Sequence, residues 1–374
     1  MTIQAQIDAA HAAGGGTVIL PPGRQVVTSQ IIPRTGVHLM GSGAVAYNYH
    51  IPGPDYGTIL DIQWGMGPGT SGNPAFAAIR PEGGSKVSGI GFDYSLQSTT
   101  ALTPTEFGST IQPYDTNLNN YNITVKDCYF FKSYIAIDAR ASKGGTGSSN
   151  LTISGCQGVP IYAGIAVDGI ADWQTFENCN FNSGLMSPGN TGGLVAWAAG
   201  NGNGLLIGGN DWAQFNNIQV FGYSVGARIR GQDGYGGSGP YQFNGCQFDG
   251  CYTGINLGGT ILHPVKVLGC NFAPYLWGAN LPGAALNNSG GTIRGVQFDN
   301  NYVFGNVLFA MHLSGDVTDV IAIGNEARTT GSAGSAFTVI NGNNVQIVNN
   351  IASGFAAPTY TVGSTNVIVR DNQT

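Results

Sequence analysis

The chain has 374 residues, 60 of them glycine, with 42% hydrophobic and only 9% charged residues. Aromatic residues at 10% are too many for a disordered polymer, no apolar run reaches the roughly 18 residues of a spanning helix, and the glycines lack the collagen period. A formal charge of −6, from 14 Lys+Arg against 20 Asp+Glu with no basic run, argues against nucleic acid and membrane as partners.

In chain order, Met1-Thr2-Ile3-Gln4-Ala5-Gln6-Ile7-Asp8 lacks the basic and apolar regions of a secretory signal. The expectation is a protein not exported by that route, or one whose leader has been removed. Ile3, Ile7 and Ala10 fall on one face of a short helix. Gly14-Gly15-Gly16 stops it, and Thr17-Val18-Ile19-Leu20-Pro21-Pro22-Gly23 reads as a strand into a turn. Residues 1–23 thus predict a helix that caps the open end of a stack of strands. Tyr47-Asn48-Tyr49-His50-Ile51-Pro52-Gly53-Pro54-Asp55-Tyr56 is an aromatic insertion suited to the wall of a groove or a subunit interface.

From about residue 120 a repeat sets in and runs to residue 374. Cys128, Cys156, Cys179, Ile218, Cys246, Cys270, Asn301, Asn325 and Asn350 share one column, with an apolar residue three before most of them. The ground period is about 24 residues with insertions, the mark of a solenoid. Its units alternate short apolar runs with Gly, Asn, Asp and Ser clusters, so they are strands and turns. Ile218 in the cysteine column points that column inward. The asparagines fit buried turns whose side-chain amides satisfy one another. Reduced, core-filling thiols are expected, as in a reducing compartment, with a disulfide between adjacent coils as the alternative.

The segment Ile7–Gly23, followed by Val37-His38-Leu39-Met40-Gly41-Ser42-Gly43, resembles the opening of pectate-lyase-like right-handed parallel β-helix proteins, above all bacteriophage tailspike and depolymerase domains. The resemblance implies an all-β fold: one right-handed, single-stranded parallel β-helix domain over 1–374 with an amino-terminal capping helix. It also implies a homotrimer, a phage tail or extracellular location, and a polysaccharide partner. The scaffold hosts hydrolases, lyases and inert spikes, so it does not fix the reaction.

Alternation then places candidate chemistry on an outward face. With Ile135/Ile137, Ile165/Val167, Ala227/Ile229, Ile255/Leu257, Ala279/Leu281 and Met311/Leu313 as inward pairs, one outward column reads Asp138, Asp168, Arg230. Its neighbour reads Arg228, Asn256, Asn280, His312, with Trp197 filling the intervening coil. Asp172-Trp173 and Asp211-Trp212 each stand seven residues before a column position. Asp138, Asp168, Asp172 and Asp211 are the expected acid and base, and Trp173, Trp197, Trp212, Arg228, Arg230, Asn256 and His312 the expected sugar contacts. Carboxylates on adjacent coils would approach the roughly 5–5.5 Å of retaining glycosidases, and two coils apart the roughly 6.5–9.5 Å of inverting ones. Each residue also has a plainer role: an aspartate bonding its own turn, a packing tryptophan, an arginine in a cross-strand ladder, a surface histidine. Gly231-Gln232-Asp233-Gly234-Tyr235-Gly236-Gly237 is a loop rather than a phosphate cradle. No cysteine and histidine set has zinc spacing, and neither metal nor cofactor is expected. The reading is glycoside hydrolysis of a bacterial surface or extracellular glycan. The alternatives are β-elimination on an acidic glycan, with Arg228 or Arg230 on the uronate, and a non-catalytic glycan-binding or structural spike.

Overall fold

The computed structural model describes residues 1–43, 56–113, 122–143, 149–186, 192–231, 239–279 and 281–373. The aromatic insertion up to residue 55, most of the 231–237 loop and Asn280 lie outside them. The fold is a parallel β-helix: almost every strand pairs in parallel with its equivalent one coil later. The chain forms two compact units, Met1–Ala198 and Ala199–Thr374.

The first unit begins with helix α1, Ile3–Ala12, whose Thr2 hydroxyl accepts from the Ala5 amide at the amino cap. Of its apolar face only Ile7 is fully buried. The helix packs on strands Gly16–Ile19 and Val37–Met40, which cap and cover the stack's first edge. Inward rows then follow the coils: Val87, Val125, Ile153 and Phe176 on one face, and Phe92, Phe130, Gly158 and Phe181 on the next. The third row is Ile79, Ile111, Ile137 and Ile165. Rows are continuous because register repeats coil after coil, so like meets like at about 4.8 Å. The Phe92 and Phe130 rings stack at 5.4 Å. Gly158 interrupts its row of phenylalanines because a Cβ there would sit 2.1 Å from the Phe130 carbonyl.

The second unit repeats the plan with Phe215, Phe243, Val267, Phe298, Ala322 and Ile347 on one face. Leu205, Ala227, Ile255, Leu286, Met311 and Phe337 form another. Leu286 and Asn288 stand where Ala279 and Leu281 were expected. Leu281 is 52% exposed, because residues before it leave the coil as an added hairpin, Tyr275–Leu276 pairing antiparallel with the start of Leu281–Asn288.

The column foreseen from the cysteines is the inner corner of both units. All six thiols, Cys251 included, are free and buried. Where asparagine takes over, an amide ladder forms: Asn301 Oδ1 accepts from the Cys270 amide at 2.8 Å, and Asn325 Oδ1 accepts from the Asn301 amide and Nδ2. Asn350 does the same for Asn325, and Asn372 for Asn350. The residue just before each column member has a positive φ of 50–67°, and it is Asp127, Gly155, Asn178, Asn217, Gly245, Gly269, Asn300, Gly324, Asn349 or Asp371. Only Gly, Asn and Asp enter that left-handed region at low cost.

Candidate functional site

In the first unit, strands Ile135–Arg140 and Ala163–Asp168 present one outward face of adjacent coils. Their register sets Ile135 opposite Ala163, Asp138 opposite Ala166 and Arg140 opposite Asp168. The expected single column of Asp138 and Asp168 is therefore corrected by two residues, and they are diagonal neighbours. Asp138 is fully buried. Its carboxylate accepts from Arg140 Nε at 2.8 Å and Nη2 at 2.7 Å, and from Ser109 Oγ at 3.0 Å. Burial opposes the charge on Arg140, but Asp138, Asp168 and Tyr162 hold its guanidinium above its ordinary value. Asp168 is 5% exposed and accepts from the amide and hydroxyl of Ser142.

Tyr134, four residues before Asp138, and Tyr162, six before Asp168, stand earlier on the same outward face, joined by the Tyr162 amide donating to the Tyr134 carbonyl at 2.9 Å. Their rings stack at 5.4 Å. Trp197, on helix α2 (Gly193–Asn201), leans on both at 6.2 and 6.3 Å. All three are half-buried. Ala136, Gly164 and Ala166 separate them along the strands from the Asp138–Arg140 end. Glu106 lies near Tyr134. Burial first, then the charge of Glu106 and the neighbouring Tyr162 push the Tyr134 phenol up to about 12. The Glu106 carboxylate accepts from the amides of Gly69 at 3.1 Å and Ser71 at 2.9 Å, which fixes it at the rim. The sequence reading named Trp197 as filling a coil of the outward strand column, whereas it lies on a helix, and it did not name Tyr134, Tyr162 or Glu106. The tyrosines, six residues after Cys128 and Cys156, were the available signal.

Asp172 and Trp173 form the exposed turn after Asp168, with Trp173 67% exposed. Asp172 has φ 61°, and a turn-forming role accounts for it. A second acidic pair in this unit was also missed. Asp61 and Asp93 are register partners, both buried. Arg24 reaches Asp93 at 2.7 Å and Asp61 at 3.9 Å, and Lys132 reaches Asp93 at 3.2 Å. Ser95 and Gln63 donate to Asp61. Two cations on two stacked carboxylates make a balanced ladder.

In the second unit, Arg228, Asn256, Asn287 and His312 share a column. The hairpin shifts the count so that Asn287 takes the place expected for Asn280. His312 Nδ1 lies 3.2 Å from Asn287 Oδ1, its ring stacks on Phe309 at 4.7 Å, and burial lowers its pKa. Arg230 pairs in register with Gly258 and is exposed. Trp212 is 62% exposed and itself carries the positive φ, 51°. The Asp172-Trp173 and Asp211-Trp212 turns thus differ by one residue in their backbone. Among the described residues, no group of three or more His, Cys, Asp and Glu is placed to hold a metal, and no helix is long and apolar enough to cross a membrane.

No protein-family model and no curated protein matches the chain. Among solved structures it is similar to the catalytic domain of a GH87 alpha-1,3-glucanase in complex with tetrasaccharides, at 12% identity and TM-score 0.56, over 99% of this chain and 67% of that one. It is similar as well to the tailspike protein of E. coli bacteriophage HK620, at 15% identity and TM-score 0.55, over 97% of this chain and 73% of that one. A complex of that tailspike with pentasaccharide gives TM-score 0.53 at 15% identity, over 99% of this chain and 62% of that one. At such identities the likeness is one of fold.

Proposed function

We propose that the chain binds and hydrolyses a bacterial surface or extracellular polysaccharide on the first unit. The observation that carries this reading is the half-buried trio Tyr134, Tyr162 and Trp197 with a carboxylate at either end, Glu106 beside Tyr134 and Asp168 beside Arg140. Aromatic faces pack on the C–H faces of sugars while their polar edges stay wet. Hydrolysis takes an acid and a base about 5–9.5 Å apart across one glycosidic bond. Asp168 stands six residues along the strand from Tyr162, about 20 Å at the strand rise, so it does not act with Glu106 on one bond. Glu106, whose oxygens already accept two amide hydrogens, is assigned the base or nucleophile, and Asp168, against the Ser142 hydroxyl, a contact to sugar hydroxyls at the far end. Asp138 drops out, since its oxygens are taken by Arg140 and Ser109 away from solvent. The solved glucanase and tailspike complexes named above hold oligosaccharides on the same kind of fold, which supports the substrate class.

The test is incubation with a panel of capsule and lipopolysaccharide glycans, following reducing ends and ultraviolet-absorbing unsaturated products separately. New reducing ends without unsaturation, lost in Glu106→Gln and weakened through KM in Asp168→Asn, are expected. Unsaturated products would replace hydrolysis with elimination. Binding without any shortening would leave a glycan-binding spike.

A further inference from the structure

The hairpin that breaks the coil period in the second unit builds a second cluster. It sets Tyr275 opposite Pro282 and Leu276 opposite Leu281, and so brings Tyr275 and Trp277 beside Phe221 and Asp249, register partners on adjacent coils. Trp277 meets Phe221 edge to face, 4.6 Å between centroids at 66°, and Tyr275 lies 6.1 Å from Trp277. The Tyr275 phenol is near enough to the Asp249 carboxyl to favour its charged form. Gly250, with φ 60°, leaves room below the rings. A Cβ there would come within 3.4 Å of the indole and 3.5 Å of the Phe221 ring. Phe221, Asp249, Tyr275 and Trp277 are all half-buried. No Lys or Arg pairs with Asp249 among the described residues.

We propose that Phe221, Asp249, Tyr275 and Trp277 form a binding subsite for one neutral pyranose unit. Two rings at a steep angle offer a corner of π faces to a sugar's C–H groups. The Asp249 carboxyl and the Tyr275 phenol at its base take and give hydroxyl hydrogen bonds. An acid with no cation beside it repels a uronate or a phosphorylated sugar, which selects the neutral class. Burial lifts the Asp249 carboxyl above the usual carboxylate range against the nearby Tyr275 phenol, as expected for a group placed to meet a ligand rather than bulk water. The subsite rests on the reading of the chain as a glycan-processing protein, but shares no residue with the first unit's carboxylates.

Calorimetric titration of the whole chain with neutral gluco-, manno- and galacto-oligosaccharides, beside uronic-acid oligosaccharides of equal length, tests it. At least one neutral series is expected to bind. Trp277→Ala and Asp249→Asn should each weaken that binding tenfold or more, and Trp277→Phe should retain most of it, all with unchanged thermal melting. Failure of every neutral series to bind, stronger binding of the uronic series, or wild-type affinity in both variants would overturn the subsite. Trp277-dependent binding in a protein that cuts no glycan would sustain it and sink the hydrolase reading alone. Cleavage lost in Glu106→Gln with oligosaccharide binding indifferent to Trp277 would do the reverse.

Discussion

Replacing Arg140 by glutamine strands a carboxylate that has no access to water. Asp138 is fully buried, Arg140 supplies two of its side-chain hydrogen bonds, at 2.8 and 2.7 Å, and Ser109 the third at 3.0 Å. Removing one partner of a buried pair costs about 3–5 kcal/mol, because the other charge stays behind. The Arg140 side chain keeps 14% of its surface in solvent, which recovers some hydration for the reverse change and places Asp138→Asn lower, near 2 kcal/mol. Removing both charges together, Asp138→Leu with Arg140→Met, leaves mainly the Ser109 hydroxyl without its acceptor, about 1–3 kcal/mol. The double variant should therefore be no less stable than Arg140→Gln alone. Urea unfolding followed by tryptophan fluorescence measures all of these, and m-values show whether the transition stays cooperative. At temperatures where Asp138→Asn remains folded, glycan cleavage should persist. If Arg140→Gln stays within about 1 kcal/mol of wild type, or if folded Asp138→Asn is inactive, Asp138 is not a structural anchor.

Asn325→Ala removes a buried amide that joins Asn301, Asn350 and the Phe298 carbonyl; a loss of about 3–4 kcal/mol is expected from stranded partners, and Asn325→Cys, matching the thiol used earlier in the column, should lose less in the same urea titration. Gly269 has φ 61° and open space, with nothing within 4 Å, where a Cβ would stand, so Gly269→Asn should leave the melting temperature nearly unchanged, whereas Gly269→Val should cost about 1–2 kcal/mol of backbone strain. The Tyr134 phenol, pushed up to about 12, favours the folded state as long as it is neutral. That contribution is whole below the unfolded value near 10 and fades as pH rises through about 12. Alkaline titration by tyrosinate absorbance should show one late-ionising phenol fewer in Tyr134→Phe, and an equal count in both proteins would refute the placement.

The coil repeat was legible because it rests on a steric demand that recurs once per coil. A left-handed residue must precede each inner-corner side chain, and Asp127, Gly155, Asn178, Gly245 and Asn300 write that demand in the few residue types able to meet it. The outward face was less legible. Ile165 resembles Ile135 in character, but the structure pairs Ile135 with Ala163, and a slip of two residues keeps every side chain on its correct face while exchanging its neighbours. Alternation alone cannot detect such a slip. The hairpin at Tyr275 was hidden for another reason: Ala279 and Leu281 satisfy the same apolar alternation as the true strand residues Ala284 and Leu286. Glu106 was out of reach altogether, since it comes from a loop lying outside any strand and is fixed by the amides of Gly69 and Ser71.

Counting from the inner corner repairs most of this, and the reason is mechanical. In the coils at Cys128, Cys156, Ile218 and Cys246, the third strand's first paired residue, Ile135, Ala163, Val225 or Thr253, stands seven positions after the corner residue. A three-residue strand and a short turn lie between them in each of these coils, so the interval keeps its length where side-chain character changes. From Cys270 the same count reaches Trp277 instead of the paired Ala284, and the excess locates the inserted hairpin without reference to hydrophobicity. The hairpin residues stand outside the coil-to-coil register, so Trp277 joins no inward row and packs on Phe221 of the coil wall, with Tyr275 beside it. That is why the departure from the count, rather than the repeat itself, brings the Tyr275 and Trp277 rings together.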